Sequence, residues 1–156
     1  VKIGQAFADE FLQYKPDLVL TVEASGIAGA LTTAIACGNI PVVFAKKSPT
    51  RNVTGDVYES RVFSFTHGVE NHIRVAKQYI PKGSRVLIVD DFLANGEAAE
   101  GLCDLCRQAD AEVIGIGVCV EKSFQPGHRK LAEAGYRVLA LAKVTGIQDG
   151  KLIVED

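Results

Sequence analysis

The first apolar positions, Ile3, Phe7 and Phe11, recur at i, i+4 and i+8 with Leu12 and Tyr14 beside them. That is the stripe of an amphipathic helix, which Pro16 ends. Leu18–Val22 is of strand length and predicts a short buried strand. The turn Glu23-Ala24-Ser25-Gly26 follows, with Ser25 as N-cap of a helix running to about Cys37. Ala28, Gly29, Ala30 and Ala34 make that helix small and apolar almost all round, which predicts close packing. Gly38-Asn39 stops it. A second strand over residues 41–45 closes on Lys46-Lys47.

Residues 48–60 are polar, carry Pro49 and Gly55, and show no helical stripe; they read as a mobile loop. Residues 61–66 and 72–75 flank a longer turn and predict a hairpin. After Pro81-Lys82-Gly83, Val86-Leu87-Ile88-Val89 form a strand buried on both faces that ends in Asp90 and Asp91. The turn Phe92-Leu93-Ala94-Asn95-Gly96 opens a helix over residues 97–109. Residues 112–120 form another buried strand closing on Glu121-Lys122. A short helix starts at Gln125-Pro126-Gly127 and runs through Ala134, and strands follow over residues 137–144 and at Lys151–Val154. This alternation predicts an α/β fold, a mainly parallel twisted sheet with helices on both faces and a small hairpin region.

The chain of 156 residues, 47% apolar and 23% charged, suits one globular domain without repeats or linkers. A net charge of −2 gives no broad pull toward nucleic acid. No apolar run approaches the roughly 20 residues that span a bilayer, and no signal peptide precedes the first helix. Four cysteines in apolar segments read as reduced thiols of a cytoplasmic protein. Cys103 and Cys106 lie on the helical stripe of Leu102, Leu105 and Ala109 and have no second pair at zinc spacing, so they read as core. His67 and His72 flank the predicted turn with no nucleophile pattern nearby and read as solvated.

The chemistry concentrates in Arg85-to-Gly101. Amides of Asn95, Gly96, Glu97 and Ala98 at a helix start are free to hold a phosphate, helped by the positive helix end. Asp90 and Asp91, one step earlier, can accept hydrogen bonds from vicinal hydroxyls such as those of a ribose. Alone, the acid pair could be a solvated strand end, and the turn an ordinary strand-to-helix connection. Receiver domains also end a strand in paired acids, but they need an Asp at the end of a later strand. Here the next strand closes on Glu121-Lys122, and that reading fails. Together the features suggest a site for a 5-phosphoribosyl group.

Asp-Asp-Phe-Leu-Ala-Asn-Gly resembles the signature of type I phosphoribosyltransferases, with Asn95 where Thr is usual. Val-Glu-Lys-Ser-Phe-Gln-Pro-Gly, from Val120 to Gly127, is similar to the xanthine-using branch of that family. Glu23-Ala24-Ser25-Gly26-Ile27, Pro41-Val42-Val43-Phe44-Ala45 and Gly135-Tyr136-Arg137-Val138 also resemble it, so the likeness covers nearly the whole chain. The resemblance implies transfer of a phosphoribosyl group from phosphoribosyl diphosphate to a purine base, xanthine first, with guanine or hypoxanthine as alternatives. A different alternative is a ligand-sensing domain of a purine-responsive regulator.

It further implies that Ala94, Asn95, Gly96, Glu97 and Ala98 hold the 5-phosphate and that Asp90 and Asp91 hold the ribose. The diphosphate falls to Glu23, Ala24, Ser25 and Gly26 with Lys46, Lys47 or Arg51. Lys122 would read purine O6 and N7, with Phe124 stacking on the base or merely packing. Two departures stand within the turn: Ala98 replaces a common hydroxyl residue, and Glu97 stands where Gln is frequent. Mg²⁺ would be bound mainly through substrate, with no dedicated protein ligands, and the assembly would be a homodimer. The family normally carries an N-terminal segment before the point where this chain starts, so the resemblance also implies a chain lacking that segment.

Overall fold

In the computed structural model, residues 1–47, 55–64, 69–148 and 150–155 are described. Helix α1 (Lys2–Phe11) continues into a 3-10 turn at Leu12–Tyr14, and β1 (Leu18–Val22), α2 (Gly26–Ala36) and β2 (Val42–Ala45) follow. The hairpin β3 (Val57–Ser64) and β4 (Val69–Ala76) precedes β5 (Arg85–Leu93) and α3 (Glu97–Gln108). Then come β6 (Glu112–Lys122), α4 (Gly127–Glu133), β7 (Val138–Gln148) and β8 (Lys151–Val154).

Six strands form one sheet in the order β2-β1-β5-β6-β7-β8, parallel except for the β7–β8 pair. β5 is central because Val86, Leu87, Ile88 and Val89 are all fully buried, as a strand covered on both faces requires. On one face α1 and α2 bring Phe7, Phe11, Ala30 and Ala34 against Val19, Leu87, Val89 and Ile114. Phe11 lies so close that a Cβ at Gly115 would stand 2.2 Å from its ring. On the other face α3 sets Leu102, Leu105 and Cys106 into a cluster with Leu20, Ile88 and Ile116. The hairpin rests on α3 at Gly101, where a Cβ would meet Val62 Cγ2 at 2.4 Å. Gln108 Nε2 donates to Glu59 O at 2.8 Å beside that seat.

The expected layering is present, and several local expectations are corrected. Ser25 precedes α2 but makes no side-chain cap bond, because its backbone is already helical (φ −67°, ψ −33°) rather than extended. Nor is α2 packed all round. Gly26, Ala30, Thr33 and Ala34 are buried, while Leu31 and Ile35, one turn apart, are 51% and 56% exposed. Strand β3 begins at Val57, inside the expected loop, and Ser60 is buried there. Residues 48–54 of that loop, Arg51 included, lie outside the described residues, as do Thr66 and His67. Strand β4 begins at Val69, so residues 69–71 are strand and not turn. His72 is not simply solvated: it faces Glu59 across the hairpin, Nδ1 to Oε1 at 2.6 Å, and Arg74 pairs with the same carboxylate. Cys103 and Cys106 are core residues, and burial pushes both thiols up to about 12.

Candidate functional site

The ends of β1, β2, β5 and β6 converge at the carboxyl edge of the parallel strands, where open α/β sheets hold their ligands. Residues 23–26 connect β1 to α2, and the Glu23–Ala24 peptide is cis. Among the described residues the amides of 24, 25 and 26 have no hydrogen-bond acceptor. The Glu23 carboxylate fastens the turn to the end of β2, its Oε1 accepting from the Lys47 amide at 2.7 Å. The Lys46 backbone exchanges bonds of 2.8 and 2.9 Å with that of Arg74, which ties the end of β2 to β4. The Lys47 charge is the one that Asp90 feels, and it acts to lower the Asp90 pKa.

That turn meets the acid pair at Gly26. A Cβ there would lie 2.3 Å from Thr21 Oγ1 and 2.8 Å from Asp90 Oδ1, so only glycine allows the two segments to close. The two carboxylates differ sharply. Asp90 is buried and its Oδ1 accepts from the Asp91 amide at 2.9 Å; Asp91 is half-buried. Burial, opposed by the hydrogen bond from the Asp91 amide and more weakly by the Lys47 charge, and reinforced by the neighbouring Asp91 carboxylate, pushes Asp90 up to about 7. Thr21 is fully buried beside it, and its hydroxyl has no hydrogen-bond partner among the described residues.

Gly96 precedes α3 with φ +95°, the left-handed turn that aims the helix start outward. Among the described residues the amides of 95–98 meet no acceptor, as the sequence predicts for an anion cradle. Glu97, with Glu59, Arg61, Glu100, Arg107 and Lys130, lines a cavity of about 640 Å³ on the hairpin side of α3.

Lys122, at the end of β6, sets its ammonium 5.8 Å from the centre of the Phe92 ring. Phe92 and Phe124 are 53% and 51% exposed, so neither packs into the core. The loop after Lys122 is joined to the turn before α3: the Gly127 amide donates to Ala94 O at 3.0 Å. A Cβ on Gly127 would stand 2.4 Å from that same oxygen. Sequence reasoning missed Phe92, Thr21 and Gly127 as parts of this edge. An exposed aromatic directly after the acid pair was the available signal for Phe92. The glycine contacts have none, since they join distant segments.

Comparison with known proteins gives the family. The model of the phosphoribosyl transferase domain matches residues 2–139. The chain belongs to the phosphoribosyltransferase family. Xanthine phosphoribosyltransferase of Laribacter hongkongensis is 47% identical over 150 residues, covering 96% of this chain and 79% of that protein. Xanthine phosphoribosyltransferase of Clostridioides difficile is 48% identical over 149 residues, covering 96% and 78%. Among solved structures, adenine phosphoribosyltransferase of Saccharomyces cerevisiae, complexed with an imino-altritol bisphosphate and adenine, aligns with a TM-score of 0.76. It is 26% identical and covers 90% of this chain and 77% of its own. The Giardia lamblia enzyme complexed with 9-deazaadenine reaches a TM-score of 0.82 at 20% identity, covering 92% and 78%, which is a likeness of fold.

Proposed function

We propose that this phosphoribosyltransferase domain transfers the phosphoribosyl group of phosphoribosyl diphosphate to xanthine, giving xanthosine 5'-monophosphate and diphosphate. The observation that carries the reading is the meeting of two free-amide turns and an acid pair, Asp90 buried and Asp91 half-buried, at one strand edge, with Lys122 beside them. Near-50% identity to proteins named for xanthine selects the base.

The amides of Asn95, Gly96, Glu97 and Ala98 hold the 5-phosphate, adjoining Ala94, whose carbonyl is fixed by Gly127. Asp90 and Asp91 accept from the ribose hydroxyls. The amides of Ala24, Ser25 and Gly26 and the Lys47 charge hold the diphosphate. In the reaction the bond from the anomeric carbon to the diphosphate oxygen breaks, and diphosphate leaves with the electron pair. A purine nitrogen forms the new bond and gives up its proton. The transition state carries oxocarbenium character, so fixed placement of both partners lowers the barrier more than covalent participation would. Lys122 donates to O6 and N7 of the base, with Phe92 and Phe124 as its apolar walls.

Mg²⁺ fits this cleft as an ion brought in by the diphosphate. Among the described residues no three His, Cys, Asp or Glu side chains are grouped to enclose a metal, and substrate oxygens and water would supply its ligands. When bound it would neutralise charge on the departing diphosphate. Exposed Leu31, Ile35 and Phe44 on the α2 side of the sheet support a homodimer. Buried free thiols support a cytoplasmic setting. Among the described residues no helix is long and apolar enough to cross a membrane.

The test is a product assay with phosphoribosyl diphosphate, Mg²⁺ and each of xanthine, guanine, hypoxanthine and adenine. Xanthosine monophosphate should form fastest. Preference for guanine or hypoxanthine would reassign the base, and binding of phosphoribosyl diphosphate without any product would indicate a sensor.

A further inference from the structure

Two acidic side chains are buried among the described residues, Asp90 and Glu121. Asp90 belongs to the cleft; Glu121 has no part in the chemistry above. Its carboxylate is nonetheless fully engaged. Oε1 accepts from Ser123 Oγ at 2.9 Å, and Oε2 lies 2.6 Å from His128 Nδ1. A carboxylate only accepts, so Nδ1 carries the proton in that bond. Ser123 and His128 stand at either end of the segment that holds Phe124, and Lys122 lies between Glu121 and Ser123.

The same segment is pinned through its backbone. The Ser123 amide donates to Val144 O, the Gln125 amide to Lys122 O and the Gly127 amide to Ala94 O, all within 2.9–3.0 Å. One buried carboxylate thus holds the two ends of a loop whose middle faces the base, and the far end of that loop abuts the phosphate turn.

We infer that Glu121 and His128 are positioning residues for purine recognition: the Glu121 carboxylate, clamped between Ser123 and His128, fixes Lys122 and Phe124 relative to the phosphate turn. The inference rests on the reading of Lys122 as the base-reading residue. Burying a carboxylate is costly unless every acceptor is used, and here both oxygens are. Site residues held by such a shell keep the sub-ångström placement that transfer chemistry needs. The 5-phosphate turn meets this segment through the backbone bond from the Gly127 amide to Ala94 O, which side-chain changes at Glu121 and His128 leave in place, and the amides proposed to hold the diphosphate lie between β1 and α2.

The experiment is steady-state kinetics on the wild type, Glu121→Gln, His128→Leu and His128→Asn, varying each substrate in turn. Gln keeps the size of Glu121 but turns one acceptor into a donor. Leu removes the His128 donor, and Asn places an amide N–H near the Nδ1 position. Glu121→Gln and His128→Leu should raise KM for the base by about tenfold or more, the scale of losing a hydrogen bond to a charged group. KM for phosphoribosyl diphosphate should stay within about twofold, and His128→Asn should recover most of the base affinity. Should Glu121→Gln not fold, the His128 pair on the helix surface decides alone. Equal rises in both KM values, no rise in either, or indistinguishable Leu and Asn variants would overturn the clamp. A wild type that turns over no purine would refute the proposed function instead, so the two failures are separate.

Discussion

Asp90 is held at about 7 by burial although it is proposed to act as a ribose acceptor, and this should cost the fold measurable stability. The perturbation is Asp90→Asn, which keeps the shape and the acceptor for the Asp91 amide. In the unfolded chain the carboxyl titrates near its ordinary 3.8, while in the folded protein it holds its proton up to about 7. Between those values the folded state binds more protons than the unfolded one, so raising the pH lowers wild-type stability throughout that window. Below it both states are protonated; above it both are ionised and the cost is constant. A shift of this size corresponds to about 4 kcal/mol at full development. Asn has no charge to bury and escapes the cost. The stability gap between Asp90→Asn and wild type should therefore widen by about 2.5 kcal/mol from pH 5 to pH 8 and then level off. Urea denaturation of both proteins across pH 4–9 reads this directly. Transfer activity of the variant should fall by about 10- to 150-fold, the range for a hydrogen bond to a charged group. A gap independent of pH, or a wild type more stable than the variant at pH 8, would refute burial as the cause of the raised pKa.

Gly96→Val sets a β-branched side chain at φ +95° with its Cβ 3.1 Å from Gly127 Cα, and should abolish calorimetric binding of phosphoribosyl diphosphate and nucleotide in a protein that still melts cooperatively. Lys122→Met should weaken base binding by about 1.5–3 kcal/mol with little change for phosphoribosyl diphosphate; equal loss for both ligands would leave Lys122 as a strand-end lysine lying along apolar surface. Gly101→Ala drives a methyl into Val62 and should cost about 1–3 kcal/mol, with faster hydrogen exchange in β3 near Val62 than in β6. Cys103 and Cys106, pushed up to about 12, should resist a disulfide reagent at pH 8 until the protein is denatured.

How much of this was legible in the sequence depended on the range of the forces involved. The central strand could be read because continuous burial leaves a continuous apolar run, and α3 because Leu102, Leu105 and Cys106 repeat at helical spacing. The free amides of residues 95–98 could be read because a helix start leaves its own N–H groups unpaired, a local matter. Helix α2 was misread because Ala and Gly are equally at home against a core or beside solvent, so its exposed Leu31 and Ile35 left no signal. Strand β3 was placed late because its opening Val57-Tyr58-Glu59-Ser60 gains strand character only from pairing with β4. The contact of His72 leaves no trace in the sequence for the same reason, its partner Glu59 lying on the opposite strand. Glu121 and His128 escaped notice because neither is unusual alone; what matters is their contact across a loop and into a helix.

The strand order has a consequence for how the cleft comes into being in time. The acid pair, the phosphate turn and the Lys122 loop all lie on β5, α3, β6 and α4, which follow one another along the chain. The diphosphate turn belongs to β1, which reaches its neighbour through the pairing of Leu18 with Val86, with β2 and the whole hairpin looped out between them. Closing a long loop before its contacts form is the slow part of building a parallel sheet. During refolding the half proposed to face the 5-phosphate and the base can assemble from near neighbours, and the half proposed to hold the diphosphate is completed when β1 docks. Competence to bind inorganic phosphate should accordingly appear ahead of competence to bind phosphoribosyl diphosphate.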